Sequence, residues 1–338
     1  MEVRAIDETG IGYLQDSACA RVPRPLRQAA EGVFSNGAVV HSPRMSVAII
    51  VNPAAGGRRS LAPDERVRLA EQAIVRHRVA GRVELTRAAG HGTELARQAV
   101  TDRCELVVAW GGDGTINEVA SELVGTGTPL GIVRAGSGNG LARELGIPAH
   151  PDYALDIALT GRDRAVDAGD IEGHRFFNVA GIGFDATMAA DFNALGDERR
   201  GPIRYAGVVA RARFGYGAAH YSSETDGRRL ETDALLVAIA NLSQYGSNAV
   251  IAPGARPDDG LFDVMVVGER GVMGRIGLVA RAFNRTIDRA AGVTRLTAAR
   301  VVVRADEPIL FHVDGEPHQG GTSVEARIFP AAIRVRVR

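Results

Sequence analysis

Three glycine-rich turns set the strongest constraint on this chain. Asn52-Pro53-Ala54-Ala55-Gly56-Gly57 follows the apolar run 47–51. Gly111-Gly112-Asp113-Gly114-Thr115 follows 105–110 and opens a helical stretch at 116–123. Gly136-Ser137-Gly138-Asn139-Gly140 follows 130–133 and opens another at 140–145. With helical patterns at 63–79 and 93–100 and a strand at 82–85, strand and helix alternate throughout. That alternation predicts an open parallel α/β sheet. In such sheets ligands bind outside the C-terminal ends of the strands, where these turns fall.

The pattern changes after about residue 165. Runs 176–180, 235–240, 261–267, 301–304, 309–313 and 333–337 read as strands, with Asp226-Gly227 and Asp259-Gly260 as turns. Helical stretches at 184–194, 202–214 and 271–285 interrupt them. This predicts a second, mostly antiparallel β domain. A length of 338 residues agrees with two domains at about 150 residues each. The expected division is a loosely ordered extension over 1–44, an α/β domain over 45–165 and a β domain over 166–338. The last strand is free to return to the first domain. Residues 1–44 carry Pro23, Pro25 and Pro43 and little periodicity, and Met45 stands directly before the first good strand.

Charge and composition narrow the function. Forty basic and forty acidic residues cancel, which argues against nucleic acid as a partner. Every basic residue is arginine, so lysine Schiff-base and Walker-type lysine chemistry are excluded. Cys19 and Cys104 lie in no metal-ligand spacing and form no disulfide framework, as in a reducing compartment. No apolar run approaches the roughly 18 residues of a membrane span, and 1–44 lack a secretory core. A cytoplasmic protein is expected.

Glycines let a backbone approach a ligand closely and present N–H groups, and a following helix N-terminus favours phosphate. Each turn alone is equally readable as a tight connection, with Asp113 as the N-cap of its own helix and Arg58 and Arg59 as solvated side chains. Turns at adjacent strand ends together point to a nucleotide cleft.

The ordered set resembles the diacylglycerol kinase catalytic-domain family, which includes bacterial lipid kinases and sphingosine kinases. It comprises Asn52-Pro53 with Gly56, Thr86 with Gly90-His91, Gly111 through Glu118, and Gly136-Ser137-Gly138-Asn139. It continues through Gly181-Ile182-Gly183-Phe184-Asp185, Pro257 through Asp263, and Asp314-Gly315-Glu316, covering about 46–338. The resemblance implies an N-terminal Rossmann-like nucleotide-binding domain, a C-terminal β-sandwich domain, and ATP-dependent phosphorylation of a lipid hydroxyl in the cleft between them. It implies nucleotide contacts from Asn52, Pro53, Gly56, Gly57, Thr86, Gly111, Gly112, Gly114, Thr115, Asn117, Glu118, Ser137 and Asn139. It makes Glu316 the proton acceptor with Asp314 its neighbour, and Asp113 a rival base or an orienter of Mg²⁺-bound water. It also places a structural Mg²⁺ on Asp259 and the carbonyls of Arg256 and Leu261. Two departures stand out: Ala55 where serine is frequent, and Gly140 where many bacterial members carry aspartate. The second makes the turn resemble the sphingosine-kinase branch.

Local sequence adds its own readings. Asp314 and Glu316, two apart after a strand, project to one side of an extended segment, or else lie in a solvated Asp-Gly turn. Two close carboxylates raise one pKa, which suits a general base. His91 and His312 show no metal spacing, and His312 reads as a strand residue. Arg200, Arg204 and Arg211 fall within about 40° on a helix and could meet anionic lipid, or simply face water. The expected partners are a lipid at the membrane surface and, in a homodimer, a second copy. An NAD kinase-like enzyme and a non-catalytic lipid-binding protein on the same fold are the competing readings.

Overall fold

In a computed structural model the described residues are 45–56, 61–194, 217–225, 227–246, 248–269 and 271–338. The extension 1–44, the residues Gly57, Arg58 and Arg59, and the 202–214 helix with Arg200, Arg204 and Arg211 lie outside them.

The first domain is built from β1 (Ser46–Val51), α1 (Pro63–Arg76), β2 (Ala80–Leu85), α2 (His91–Thr101), β3 (Leu106–Gly111), α3 (Asp113–Leu123), β4 (Leu130–Arg134), α4 (Gly140–Glu144) and α5 (Pro151–Thr160). Its strands pair in parallel in the order β4-β3-β1-β2. β3 is buried along its whole length and β1 beyond Ser46, because helices cover both faces. Ile116, Val119, Ala120 and Leu123 form the buried stripe of α3, at the spacing of one helix face. α5 has no counterpart in the sequence reading, although Pro151 at its start and the stripe Ala154, Leu155, Ala158 and Leu159 carry its signal.

The second domain begins within β5 (Arg162–Ile171) and continues through β6 (His174–Phe176), β7 (Val179–Gly183), α6 (Phe184–Ala194), β8 (Ala219–Thr225), β9 (Arg228–Ala240), β10 (Gln244–Gly246) and β11 (Ala249–Val250). It closes with β12 (Phe262–Gly268), α7 (Val272–Phe283), β13 (Val293–Ala298), β14 (Arg300–Ala305), β15 (Leu310–Val313), β16 (Glu316–Gln319) and β17 (Ser323–Val337). Pairing among β7, β8, β9, β12, β13, β14 and β15 is antiparallel, and the layers enclose a core that includes Phe176, Ile239, Phe262 and Phe311. Phe176 and Phe262 stack at 5.5 Å. The architecture is an α/β domain followed by a β-sandwich.

One strand joins the two. The first half of β17 pairs with β14. β5 runs beside both halves, with a register shift between Phe329 and Ile333, and the second half also pairs through Val335 with β4. Ile333, Val335 and Val337 are buried in the core of the first domain.

The expected single strand at 176–180 is two strands, broken at Phe177-Asn178. The break has a cause: the N–H groups of Phe177, Asn178 and Val179 turn to the carboxylate of Asp314. α3 also starts three residues earlier than expected, with extended Gly112 as its N-cap residue.

Val335 is fully buried. Val335→Ala should cost about 2 kcal/mol. Trp110 is the single tryptophan and sits on β3, so its fluorescence in urea reports the first domain. The unfolding midpoint read this way should fall; an unchanged midpoint would show that the C-terminal strand contributes little there.

Candidate active site

The first loop is held from beneath. The Asn52 amide donates to Thr115 Oγ1 at 2.8 Å, and its oxygen accepts the Ala54 N–H at 2.9 Å, which fixes a tight turn. Arg66 on α1 is buried and donates to the carbonyls of Leu61 (3.1 Å), Asn52 (2.6 Å) and Ala55. Burial lowers its pKa. The sequence reading does not include Arg66. Its signal is an arginine in register with Ala70 and Ala73 on the buried face of α1.

The second and third glycine turns touch. A Cβ on Gly136 would lie 2.7 Å from Gly112 Cα, so the third turn tolerates no side chain there. Asp113 ties them together: Oδ2 accepts the Asn139 N–H and Oδ1 the Gly140 N–H, each at 2.7 Å. Asp113 therefore does not cap α3 as read from sequence; it satisfies the start of α4. Burial pushes its carboxyl up, Asp314 adds to this, and the two N–H donors pull it back. Asn139 adopts φ +52 and closes its own turn by accepting the Gly136 N–H at 2.9 Å. Arg134 and Arg143 flank this turn; Arg143 donates to Gly138 O at 2.8 Å. Burial and then Arg143 lower the pKa of Arg134.

Glu118 fixes a further turn. Its two oxygens accept the N–H groups of Gly90 (2.8 Å) and Gly92 (2.9 Å). It thus braces the segment after Thr86, which is itself buried at the end of β2. His91 accepts the Arg87 N–H through Nδ1 at 3.1 Å.

Of the two arrangements read from sequence for the acidic pair, the structure forms the Asp-Gly turn and not the extended segment. Asp314 and Gly315 have φ +49 and +93, the left-handed pair that a two-residue hairpin turn demands, and Val313 pairs with Glu316 across it. Asp314 points inward. Oδ1 accepts the N–H groups of Asn178 (2.9 Å) and Val179 (3.1 Å), and Oδ2 those of Phe177 (2.9 Å) and the Asn117 side chain (2.9 Å). Burial pushes its carboxyl up, against these four donors. Glu316 instead crosses to the first domain, where Oε1 lies 3.5 Å from the position a Cβ would take on Gly114. Burial raises its pKa, with Glu118 and Asp314 adding and His174 opposing. The structure thus brings together the Gly111–Thr115 turn, Asn117, Asp314 and Glu316.

The Asp259 turn is organised separately. Gly260 has φ +74 and donates to buried Asp167 at 2.8 Å, and Asp167 donates its own N–H to Pro257 O at 2.7 Å. Asp259 is exposed and its Oδ1 accepts the Leu261 N–H at 3.1 Å.

Fold and site together define a class: two-domain kinases in which glycine turns of an α/β sheet face a carboxylate from a β-sandwich. Residues 46–171 match the diacylglycerol kinase catalytic domain, and residues 178–337 match the YegS C-terminal NAD kinase beta sandwich-like domain. The chain belongs to the diacylglycerol kinase catalytic-domain family of lipid kinases. It is 31% identical to a "Probable lipid kinase YegS-like" of Pseudomonas fluorescens, over 83% of this chain and 93% of that one. It is 28% identical to a "Diacylglycerol kinase" of Bacillus subtilis, over 68% and 77%. A crystal structure of a diacylglycerol kinase from Bacillus anthracis shares the fold, with TM-score 0.68, 19% identity, and 87% and 97% of the two chains covered. Among the described residues no helix is long and apolar enough to cross a membrane.

Asp113→Asn places an amide where a carboxylate oxygen accepts a backbone N–H. Thermal stability should fall, and turnover by about 10². A variant with wild-type melting and wild-type rate would show that the tie between the glycine turns is dispensable.

Proposed function

We propose that this chain transfers the γ-phosphate of ATP, presented with Mg²⁺, to the hydroxyl of a membrane lipid. The acceptor class is diacylglycerol or a sphingoid-base-like alcohol, and the product enters phospholipid metabolism. The observation that carries the reading is Glu316. A carboxylate from the β-sandwich stands over Gly114, in the turn best suited to hold phosphate.

Phosphoryl transfer asks mainly for positioning and charge neutralisation. The backbone N–H groups of the glycine turns and the N-terminus of α3 supply donors for the phosphates. Asn52, Thr115 and Arg66 hold the first loop in place beside them. Glu316 takes the proton of the acceptor hydroxyl as the new P–O bond forms. Its raised pKa makes it a better base than an ordinary glutamate. Asp314 stays fixed by four donors, so it sets the turn and raises Glu316 rather than accepting the proton itself. The lipid reaches the cleft from the bilayer surface, and contact with the membrane is peripheral.

A structural Mg²⁺ fits the Asp259 turn. Among the described residues no group of three or more His, Cys, Asp or Glu side chains could hold a metal. An ion there would rest on one carboxylate, Asp259, with the carbonyls of Arg256 and Leu261 and water, a hard oxygen set that suits Mg²⁺. Asp259 Oδ2 is left for it once Oδ1 has taken the Leu261 N–H. Bound there, Mg²⁺ would neutralise Asp259, whose charge adds to burial in raising the pKa of Asp263 against Arg295.

Labelled ATP and an extracted lipid mixture, resolved by thin-layer chromatography, test the activity and name the acceptor; no labelled lipid would overturn the reading. Glu316→Gln should keep nucleotide affinity and lower kcat by about 10² to 10⁴. Because the base works deprotonated, wild-type kcat/KM should fall with acid at a pH above that of an ordinary glutamate.

EDTA should lower the melting temperature of the wild type and leave that of Asp259→Ala, already lower, unmoved. Equal curves for wild type with and without EDTA would remove the structural metal.

A further inference from the structure

A polar chain centred on a buried histidine stands behind the Asp314-Gly315 turn, and the phosphoryl-transfer scheme does not use it. It draws on three elements: Asp185 from the first turn of α6, Tyr245 from β10 and His312 from β15. His312 is 3% exposed. Its Nε2 lies 3.0 Å from Asp185 Oδ2, and Tyr245 donates its hydroxyl to the same oxygen at 2.5 Å. On the other side of the ring, Nδ1 accepts the Gly315 N–H at 3.3 Å. Gly181, the register partner of His312 on β7, makes room for this packing; a Cβ there would collide with both Asp185 Oδ2 and His312 Nε2.

The direction of each bond follows from chemistry. A backbone N–H can only donate, so Nδ1 must present its lone pair. In a neutral imidazole the proton then sits on Nε2 and is donated to Asp185. An imidazolium or the Nδ1–H tautomer would set two donors against each other at Gly315. Asp185 receives from both His312 and Tyr245, and these bonds lock the plane of the ring.

Gly315 is the residue through which this matters. It is the second left-handed residue of the turn that sends Asp314 inward and Glu316 outward to Gly114. Rotation of the peptide carrying its amide would swing both carboxylates. We propose that His312 is a positioning residue for phosphoryl transfer: held as the Nε2–H tautomer by Asp185 and Tyr245, it fixes the Gly315 amide and so the reach of Glu316 over the nucleotide turn. The consequence for rate rests on Glu316 as the base; the tautomer does not.

Three substitutions separate the two ends of the ring. His312→Asn sets an amide oxygen close to the place of Nδ1 and keeps an acceptor for Gly315. His312→Gln sets an amide near Nε2, keeping the link to Asp185 and losing the acceptor. His312→Leu loses both. Asn should stay within about threefold of wild-type kcat, while Gln and Leu should lose about 10- to 100-fold. KM for ATP should be unchanged in all three. In the Gln and Leu variants the acid limb of kcat/KM should also move to lower pH. Glu316 would leave the place where burial, Glu118 and Asp314 hold its pKa up, against His174. Equal losses in all three variants, with an unmoved acid limb, would mean that His312 is only a packing residue.

A second measurement needs no variant to be active. In a long-range ¹H–¹⁵N spectrum of histidine-labelled wild-type protein, His312 is assigned by its absence in His312→Asn. It should show the neutral Nε2–H pattern near neutral pH; an imidazolium or Nδ1–H pattern overturns the proposal. If Glu316→Gln turns over normally while His312 shows Nε2–H, the base assignment fails and the tautomer stands.

Discussion

The carboxylate of Asp314 is the joint on which this structure depends. It gathers N–H donors from three consecutive residues of the β6–β7 connection and from Asn117 on α3. One side chain from the end of β15 therefore ends one strand, starts the next and grips a helix of the other domain. Asn117 reinforces the joint by donating also to Arg175 O. A buried carboxylate without donors would be costly, and a buried run of N–H groups without acceptors equally so. Here each satisfies the other. That reciprocity is why the turn can carry two left-handed residues in a fixed direction.

The glycine turns of the first domain have their own version of the same device. The glycine turns come too close for side chains, so they cannot be held by packing. They are held instead by acceptors aimed at backbone N–H groups: Asp113 on Asn139 and Gly140, and Glu118 on Gly90 and Gly92. Arg66 does the converse for the carbonyls of the first loop. The acids in these motifs therefore keep N–H-rich loops rigid. Two acids of the β domain reach across to the first domain: Asp314 to Asn117, and Glu316 to the space over Gly114.

What could be read from sequence divides along this line. The parallel sheet was legible because buried strands and one-sided helices follow fixed periods, as in β3 and α3. The family was legible because its motifs recur in order. The roles of the acids were not. Asp113 precedes a helix, so N-capping of that helix was the natural reading, yet its partners lie 26 and 27 residues on. Asp314 and Glu316 were readable as one face of a strand or as a solvated Asp-Gly turn; the turn forms, but that it sends Asp314 inward was not legible. Arg66 and the His312 chain depend on contacts between distant segments, which no local period encodes.

The same logic bears on Gly140, where the resemblance leads one to expect aspartate. Glycine here is tied to its neighbours. A Cβ on Gly140 would come within 2.8 Å of Asn178 Oδ1 and 3.0 Å of its Cγ. Asn178 is buried, and its backbone N–H is one of the donors to Asp314. Its side chain therefore occupies the space an acidic side chain at 140 would enter. The Gly140 N–H goes to Asp113 instead. Asn178 Oδ1 is left without a hydrogen-bond donor among the described residues. An aspartate at 140 would have to push the Asn178 side chain aside. The backbone N–H of that same residue anchors Asp314, so the short turn packs directly against the segment that Asp314 holds.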